Sequence, residues 1–308
     1  MSNLKDFSKS QAFYKLLIVT ATVIWGFSFV AMKEAVGVLT PAWLLAARFG
    51  LTGLILLAVF HKRVITNFNK QHVLHGLLIG AILYTSFYFQ TLGLSHTTAG
   101  KNAFLSAAYV VFIPFILWVW AKVRPNKYNA IAAVLCLSGI GCVALETSSA
   151  GLNIGDVLTL ISAVGFAIHL IIVNRISVNS DILTLTVWQF IFGGCLAIMH
   201  ASFAEAPPAF TLLLDPAFLW NLFYLVVFAS CMSLVFMNVG FAKVPPTQGA
   251  LLLSLEGVFG ALFSILFYSD PFTLKLTIGF LLVMGSIIVS EVLPIKKKPD
   301  MDEANPLV

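Results

Sequence analysis

GLSHTTAGKNAFLSAAYVVF, residues 93–112, lies without a gap over GFAKVPPTQGALLLSLEGVF, residues 240–259. Gly93 meets Gly240, Ala103 meets Ala250, Leu105 meets Leu252, Val111 meets Val258 and Phe112 meets Phe259. Earlier in the chain WGFSF (25–29) lies over VGFAI (164–168), and ARFG (47–50) lies near WQFIFG (188–193). The matches divide the chain into two copies of one pattern, residues 1–148 and 149–295, followed by a basic and acidic tail, 296–308.

Both copies are apolar. The 308 residues are 59% hydrophobic and only 10% charged, where a soluble domain carries roughly 25% charge. Mean hydropathy is +0.97. Apolar runs of about twenty residues recur, each long enough to cross a ~30 Å hydrocarbon layer. They are continuous rather than alternating, which favours helices over a β-barrel. The expected fold is all-α: a polytopic membrane protein of ten transmembrane helices, at about 14–36, 41–60, 72–94, 101–120, 127–145, 156–174, 181–200, 217–240, 246–268 and 272–292. Turn signals such as Thr40-Pro41, Arg124-Pro125-Asn126, Ala206-Pro207-Pro208 and Asp270-Pro271 separate them. The first run is too long for a cleavable signal and lacks a small-residue cleavage site.

The basic residues orient this stack. Lys5, Lys9, Lys15, Lys62, Arg63, Lys70, Lys122, Arg124, Lys127, Arg175, Lys243 and Lys296 to Lys298 fall on one side of a ten-span chain, whereas Lys33, Lys101 and Lys275 fall on the other. The positive-inside rule then places both termini in the cytoplasm. The net charge of +5 reflects this topology rather than a nucleic-acid partner. Five spans per copy is an odd number, so the second copy is inverted relative to the first. Inverted repeats mark secondary transporters, in which exchanging the conformations of the two halves exchanges inward-facing and outward-facing states.

These features resemble the drug/metabolite transporter superfamily, and in particular its EamA-type bacterial exporters. WGFSFV (25–30) resembles the family's first-span signature, ARF (47–49) its second-span arginine motif, and LLSLEGVFGALFSILFYSD (252–270) its ninth-span pattern. Gly257 stands where a proline often follows the glutamate, and Ser269-Asp270 replaces a usual Gly-Glu. The resemblance implies a multi-pass protein of the cell (inner) membrane, a central cavity formed by spans one to four and six to nine, and spans five and ten as scaffold. It also implies export of an amino-acid-like or amphipathic metabolite.

Glu256 is the residue that most needs a reason. It lies about ten residues, or ~15 Å, into its span, and a charge there costs about 2.5–3.5 kcal/mol on insertion scales. Arg48 lies ~10 Å into span two from the other face, within side-chain reach in depth. Three readings stand side by side: a structural ion pair, a substrate or gating role, and Arg48 reaching outward to Glu34. In the repeat, Tyr109 corresponds to Glu256 and Gln189 roughly to Arg48. The other candidates for the cavity or its gates are Trp25, Ser28, Tyr84, His169, Trp188 and Gln248. Trp and Tyr offer a flat apolar face with one polar tip, suited to an amphipathic ligand, and His169 is a candidate proton relay. Asn102 is expected to cap a helix end or line a gate, Pro114 to kink span four, and Gly139, Gly257, Gly260 and Gly285 to permit close helix approach.

No catalytic, metal or cofactor site is expected. Cys136, Cys142, Cys195 and Cys231 lie in apolar runs without CxxC spacing, and the histidines are scattered. No GxxxxGK[ST], HExxH or GxSxG occurs, so neither direct ATP coupling nor a familiar hydrolase is indicated. The expected activity is alternating-access transport, with a proton or another ion as candidate coupling partner, by a monomer or homodimer among membrane lipids. The alternative is a membrane-embedded channel or sensor without coupled transport.

Overall fold

The computed structural model describes residues 11–122, 124–144, 153–178, 180–209, 211, 214–241, 243–244, 252–268, 273–291 and 293. Gln248, the 148/149 junction and the C-terminal tail lie outside the described residues. Among the described residues all regular structure is helical. Continuous apolar sequence leaves backbone amides no solvent partner in a bilayer, and a helix satisfies them within itself.

The helices are α1 (Gln11–Val36), α2 (Pro41–Thr66), α3 (Lys70–His96), α4 (Ala99–Ser106), α5 (Tyr109–Ala121), α6 (Lys127–Ala144), α7 (Ile154–Ser177), α8 (Ile182–Ala204), α9 (Pro216–Phe223), α10 (Ser233–Phe241), α11 (Leu255–Tyr268) and α12 (Leu274–Glu291). A π-helical segment, Tyr224–Met232, joins α9 to α10. Among the described residues seven helical stretches are long and apolar enough to cross a membrane, and Leu255–Tyr268 and Thr277–Val289 are shorter apolar stretches.

Local sequence sets the helix ends. Pro41 occupies the first turn of α2, where its missing N–H costs nothing. Asn69 and Thr98 cap α3 and α4 by accepting from His72 N and Lys101 N. Asn153 and Asp156 form a reciprocal capping box at α7. Asp215 caps α9, with Pro216 following. Lys33 Nζ donates to the carbonyls of Leu94 and Thr97, placing a cation at the electronegative end of α3.

Among the described residues, three expected spans are not continuous α-helices. The fourth is interrupted at Ala107 and Ala108, upstream of Pro114, which sits inside α5. The eighth passes through the π segment. In the ninth, a turn at Ser254 precedes α11.

Packing brings distant helices together: α2 against α8, α3 against α7 and α8, α1 against α10 and α11, α4 against α11, α5 against α7, and α6 against α12. Small residues set the closest seams. A Cβ on Gly53 would meet Ile191 N at 3.1 Å, and one on Gly194 would meet Gly50 N at 3.0 Å. Between them the Phe49 and Phe190 rings pack edge to face, 5.1 Å apart. Gly257 lies on Ala107, just past the end of α4, Gly260 lies on Ala103 of α4, and Gly139 lies on Gly279 of α12. Gly285 differs from expectation: among the described residues nothing lies within 4 Å of where its Cβ would be, so it makes no close helix contact with them.

The α2–α8 pair is tied at both ends. At one, Arg63 Nε donates to both oxygens of Asp181, the N-cap of α8, and the ion pair closes at 2.9 Å. At the other, the Glu205 carboxylate accepts from Ala42 N, Trp43 N and the Thr40 hydroxyl at the start of α2. Burial by itself would raise the Asp181 carboxyl, but hydrogen bonds from Thr184 and the Arg63 charge outweigh it and hold the group below its ordinary range. Such a depressed acid stabilises the fold above its unfolded pKa and loses that contribution as pH falls through its folded value.

Two stability tests follow from this packing. Gly26 of α1 faces backbone: a Cβ would meet Gly260 N at 2.9 Å, whereas one on Gly50 meets nothing within 4 Å among the described residues. Gly26→Ala should destabilise by about 1–3 kcal/mol, while Gly50→Ala should be neutral or stabilising by up to about 1 kcal/mol. Melting temperatures of the two purified variants check the opposite signs. Asp181→Asn keeps a capping side chain but removes the charge. It should melt below wild type at pH 7, and the difference should close below about pH 4; a gap that persists at acid pH rejects the clasp as an ionic one.

Candidate functional site

All seven of the long helical stretches, together with α11, turn polar residues inward around one cavity of about 140 Å³. That is room for several waters or one small organic molecule. On α1 the residues facing it, Trp25, Ser28, Phe29 and Met32, follow the three-and-four spacing of one helix face. On α3 the facing residues run from Leu83 through Phe87 and Gln90 to Leu94. The wall is mostly aromatic and aliphatic, with a few polar groups that converge on the space.

Arg48 is 3% exposed. Its Nε donates to Ser230 Oγ at 3.0 Å, and its guanidinium carbon lies 4.8 Å from the centre of the Phe87 ring. The π segment makes that arrangement. Ser230 Oγ donates to Leu225 O and Ser233 Oγ to Phe228 O, each five residues back, the register of a widened turn. Ala229 O accepts from Trp25 Nε1 at 2.7 Å, and Tyr224 Oη donates to Ile24 O at 2.8 Å, which latches the segment to α1.

Glu256 enters the same cavity from the first turn of α11 and is only partly buried. Among the described residues its carboxylate accepts no hydrogen bond and makes no ion pair within 4.0 Å. Arg48 and Glu256 thus face one space without closing on each other. Glu34 does not receive Arg48 either; it accepts from Tyr268 Oη at 2.6 Å.

The other expected residues divide. Trp25, Ser28, Tyr109, His169 and Gln189 line the cavity with Arg48 and Glu256. His169 Nε2 donates to Gln189 Oε1 at 3.2 Å, so the midspan histidine is tied to a neutral amide. Tyr84 is turned away and shares a 2.6 Å hydrogen bond with His200 Nδ1. Trp188 also lies off the cavity: its Cβ sits against Gly76 and its ring stacks on Phe192 at 5.6 Å. Gln248 lies outside the described residues.

Several lining residues escaped the sequence reading. Phe87, Gln90, Thr91, Ser106 and Ser230 all line the cavity. Gln90 and Ser106 carried a usable signal, as polar residues in apolar runs. Asn102, expected at a cap or gate, lies in the first turn of α4 and donates to Gln90 O at 3.1 Å and Thr159 Oγ1 at 2.7 Å. Among the described residues Asn102 Oδ1 and Thr91 Oγ1 are buried without a hydrogen-bond partner, a condition that costs about 1–3 kcal/mol for each atom.

The chain resembles proteins of known family. The EamA-like transporter family model matches it twice, over residues 12–145 and 153–291. An uncharacterized transporter of Archaeoglobus fulgidus is 28% identical over 89% of this chain and 84% of its own. The uncharacterized transporter YoaV of Bacillus subtilis is 19% identical over 89% of this chain and 94% of its own. A solved crystal structure superposes with a TM-score of 0.68 at 15% identity, covering 94% of this chain and all of that one, which shows a shared fold. A helical chain with membrane-length apolar spans around a polar-lined cavity, matched twice along its length by one model, is a multi-pass membrane transporter and belongs to the EamA-like transporter family.

Proposed function

We propose that the protein is a secondary transporter that exports a small amino-acid-like or amphipathic metabolite by alternating access, and that its two halves, residues 1–148 and 149–295, form a five-plus-five inverted repeat. The observation that carries the reading is the cavity itself, in which Arg48 of the first half and Glu256 of the second face one largely apolar space without pairing. A cation held in place by Ser230 and Phe87 suits a carboxylate. An unpaired carboxylate opposite it suits an ammonium group or a proton. The aromatic wall between them suits an apolar body.

Exchange symmetry in the packing supports the repeat. Gly53 lies on Phe190 and Ile191, while Gly194 lies on Phe49 and Gly50. Swapping the ARFG and WQFIFG segments converts one contact into the other. The pairing of α3 with α7 has its counterpart in that of α1 with α10, and the pairing of α1 with α11 in that of α5 with α7. With both termini on the cytoplasmic face, a cavity between such halves can open to either side by rocking.

Counterflow of labelled metabolite in liposomes tests the class of activity, since a channel or sensor shows no acceleration by substrate on the far side. Ser28→Trp places bulk in the cavity beside Trp25 and should abolish counterflow while inserting normally; full activity in that variant places the pathway elsewhere. Glu256→Gln keeps the shape and removes the charge. It should reach wild-type yield, because no hydrogen bond or ion pair within 4.0 Å among the described residues is broken, yet lose about tenfold or more of net transport or its pH dependence. Wild-type transport with an unchanged pH profile would remove the carboxylate from the mechanism.

A further inference from the structure

The cavity holds a second polar group, one that Arg48 and Glu256 do not touch. Asn102 and Thr91 are both 0% exposed, both line the cavity, and each keeps one atom, Oδ1 and Oγ1, without a partner among the described residues. The amide is not free to turn. Its Nδ2 is spent on Gln90 O and Thr159 Oγ1, and Thr159 in turn donates to Gly155 O at 2.7 Å. Asn102 Oδ1 is thereby fixed as an acceptor. Thr91 has a routine remedy for its hydroxyl, a bond to a carbonyl one turn back, of the kind Thr20, Thr66 and Thr85 make. It does not take it.

The position of these atoms relative to the cation can be read along α3. The Arg48 guanidinium rests on Phe87. Gln90 and Thr91 are three and four residues further along, about 5–6 Å at 1.5 Å per residue. Asn102, bonded to Gln90 O, lies at the same level. The surface between is the apolar side of Phe87. A neutral acceptor layer therefore stands one helical turn from a fixed cation.

We infer that this layer is a second binding subsite, in which Asn102 Oδ1 and Thr91 Oγ1 take a hydrogen-bond donor, a hydroxyl or ammonium, at the end of the substrate opposite the group that meets Arg48. The inference rests on the transport reading and narrows its substrate to bifunctional molecules: a carboxylate, a short apolar stem and a terminal donor. A ligand without the donor leaves both atoms unpaired, so the site discriminates by the donor's presence.

The test uses the full chain in detergent with three probes of matched length, pentanoate, 5-hydroxypentanoate and 5-aminopentanoate, titrated by calorimetry. The hydroxy or amino compound should bind about tenfold more tightly than pentanoate, one added hydrogen bond's worth. In Thr91→Val that preference should shrink to less than about threefold, while the empty variant melts no lower than wild type, because the lost hydroxyl had no partner. Equal binding of all three probes overturns the subsite alone, provided that Arg48→Gln weakens them together. A Thr91→Val protein that melts clearly below wild type also overturns it, since the hydroxyl then has a resident partner. If no probe binds, or if Arg48→Gln leaves binding intact, the carboxylate reading of the cavity fails and the subsite falls with it.

Discussion

A backbone amide inside a hydrocarbon layer has no water to bond, and this constraint orders the rest of the molecule. It makes every regular element among the described residues helical. It also makes each departure from the α-helix informative. Among the described residues there are three such places along the apolar stretches: the interruption at Ala107 and Ala108, the π segment Tyr224–Met232, and the turn at Ser254. Each adjoins residues of the cavity: Ser106 and Tyr109, Ala229 and Ser230, Leu253 and Glu256. Irregular backbone is tolerated where freed carbonyls find partners, and here they do. Ala229 O takes the Trp25 indole, and Leu225 O takes Ser230.

The cavity's polarity is arranged by residues that are not themselves charged. Arg48 is aimed by a serine on a widened turn and a phenylalanine on α3. Asn102 is aimed by a backbone carbonyl and a threonine. Around them, glycines at 26, 53, 194 and 260 let helices approach until backbone meets backbone. Such seams are stiff, because neither side can yield by turning a side chain. The molecule thus combines rigid glycine contacts between helices with a hollow that keeps several polar atoms unmet.

Much of the architecture was legible in the amino-acid order, since hydropathy and proline-bearing turns locate apolar stretches directly. The stretches about 41–60 and 72–94 correspond to α2 and α3 with shifts of a few residues, mostly at the ends where charged residues extend the helix beyond the apolar run. Glu256, Arg48, Trp25, Ser28, Tyr109, His169 and Gln189 could be singled out because polarity in an apolar run is conspicuous. Tyr84 and Trp188 met the same criterion but face other helices: rotation about a helix axis is invisible when all faces are apolar. The hydrophobic contrast that usually reveals a buried face is absent from α3. For the same reason Phe87 and Leu83 could not be told from lipid-facing neighbours. Ser230 escaped for a different cause, as nothing in YLVVFASCM announces a π register.

The π segment has a consequence for ancestry. A widened turn holds one residue more than the α-helical turn it replaces, so it behaves as a single-residue insertion absorbed without a loop. An insertion within a helix turns everything beyond it by about 100° relative to what came before. If the two halves descend from one duplicated gene, the second copy acquired at this point a new face rather than new side chains. Divergence of that kind leaves composition and hydropathy almost untouched.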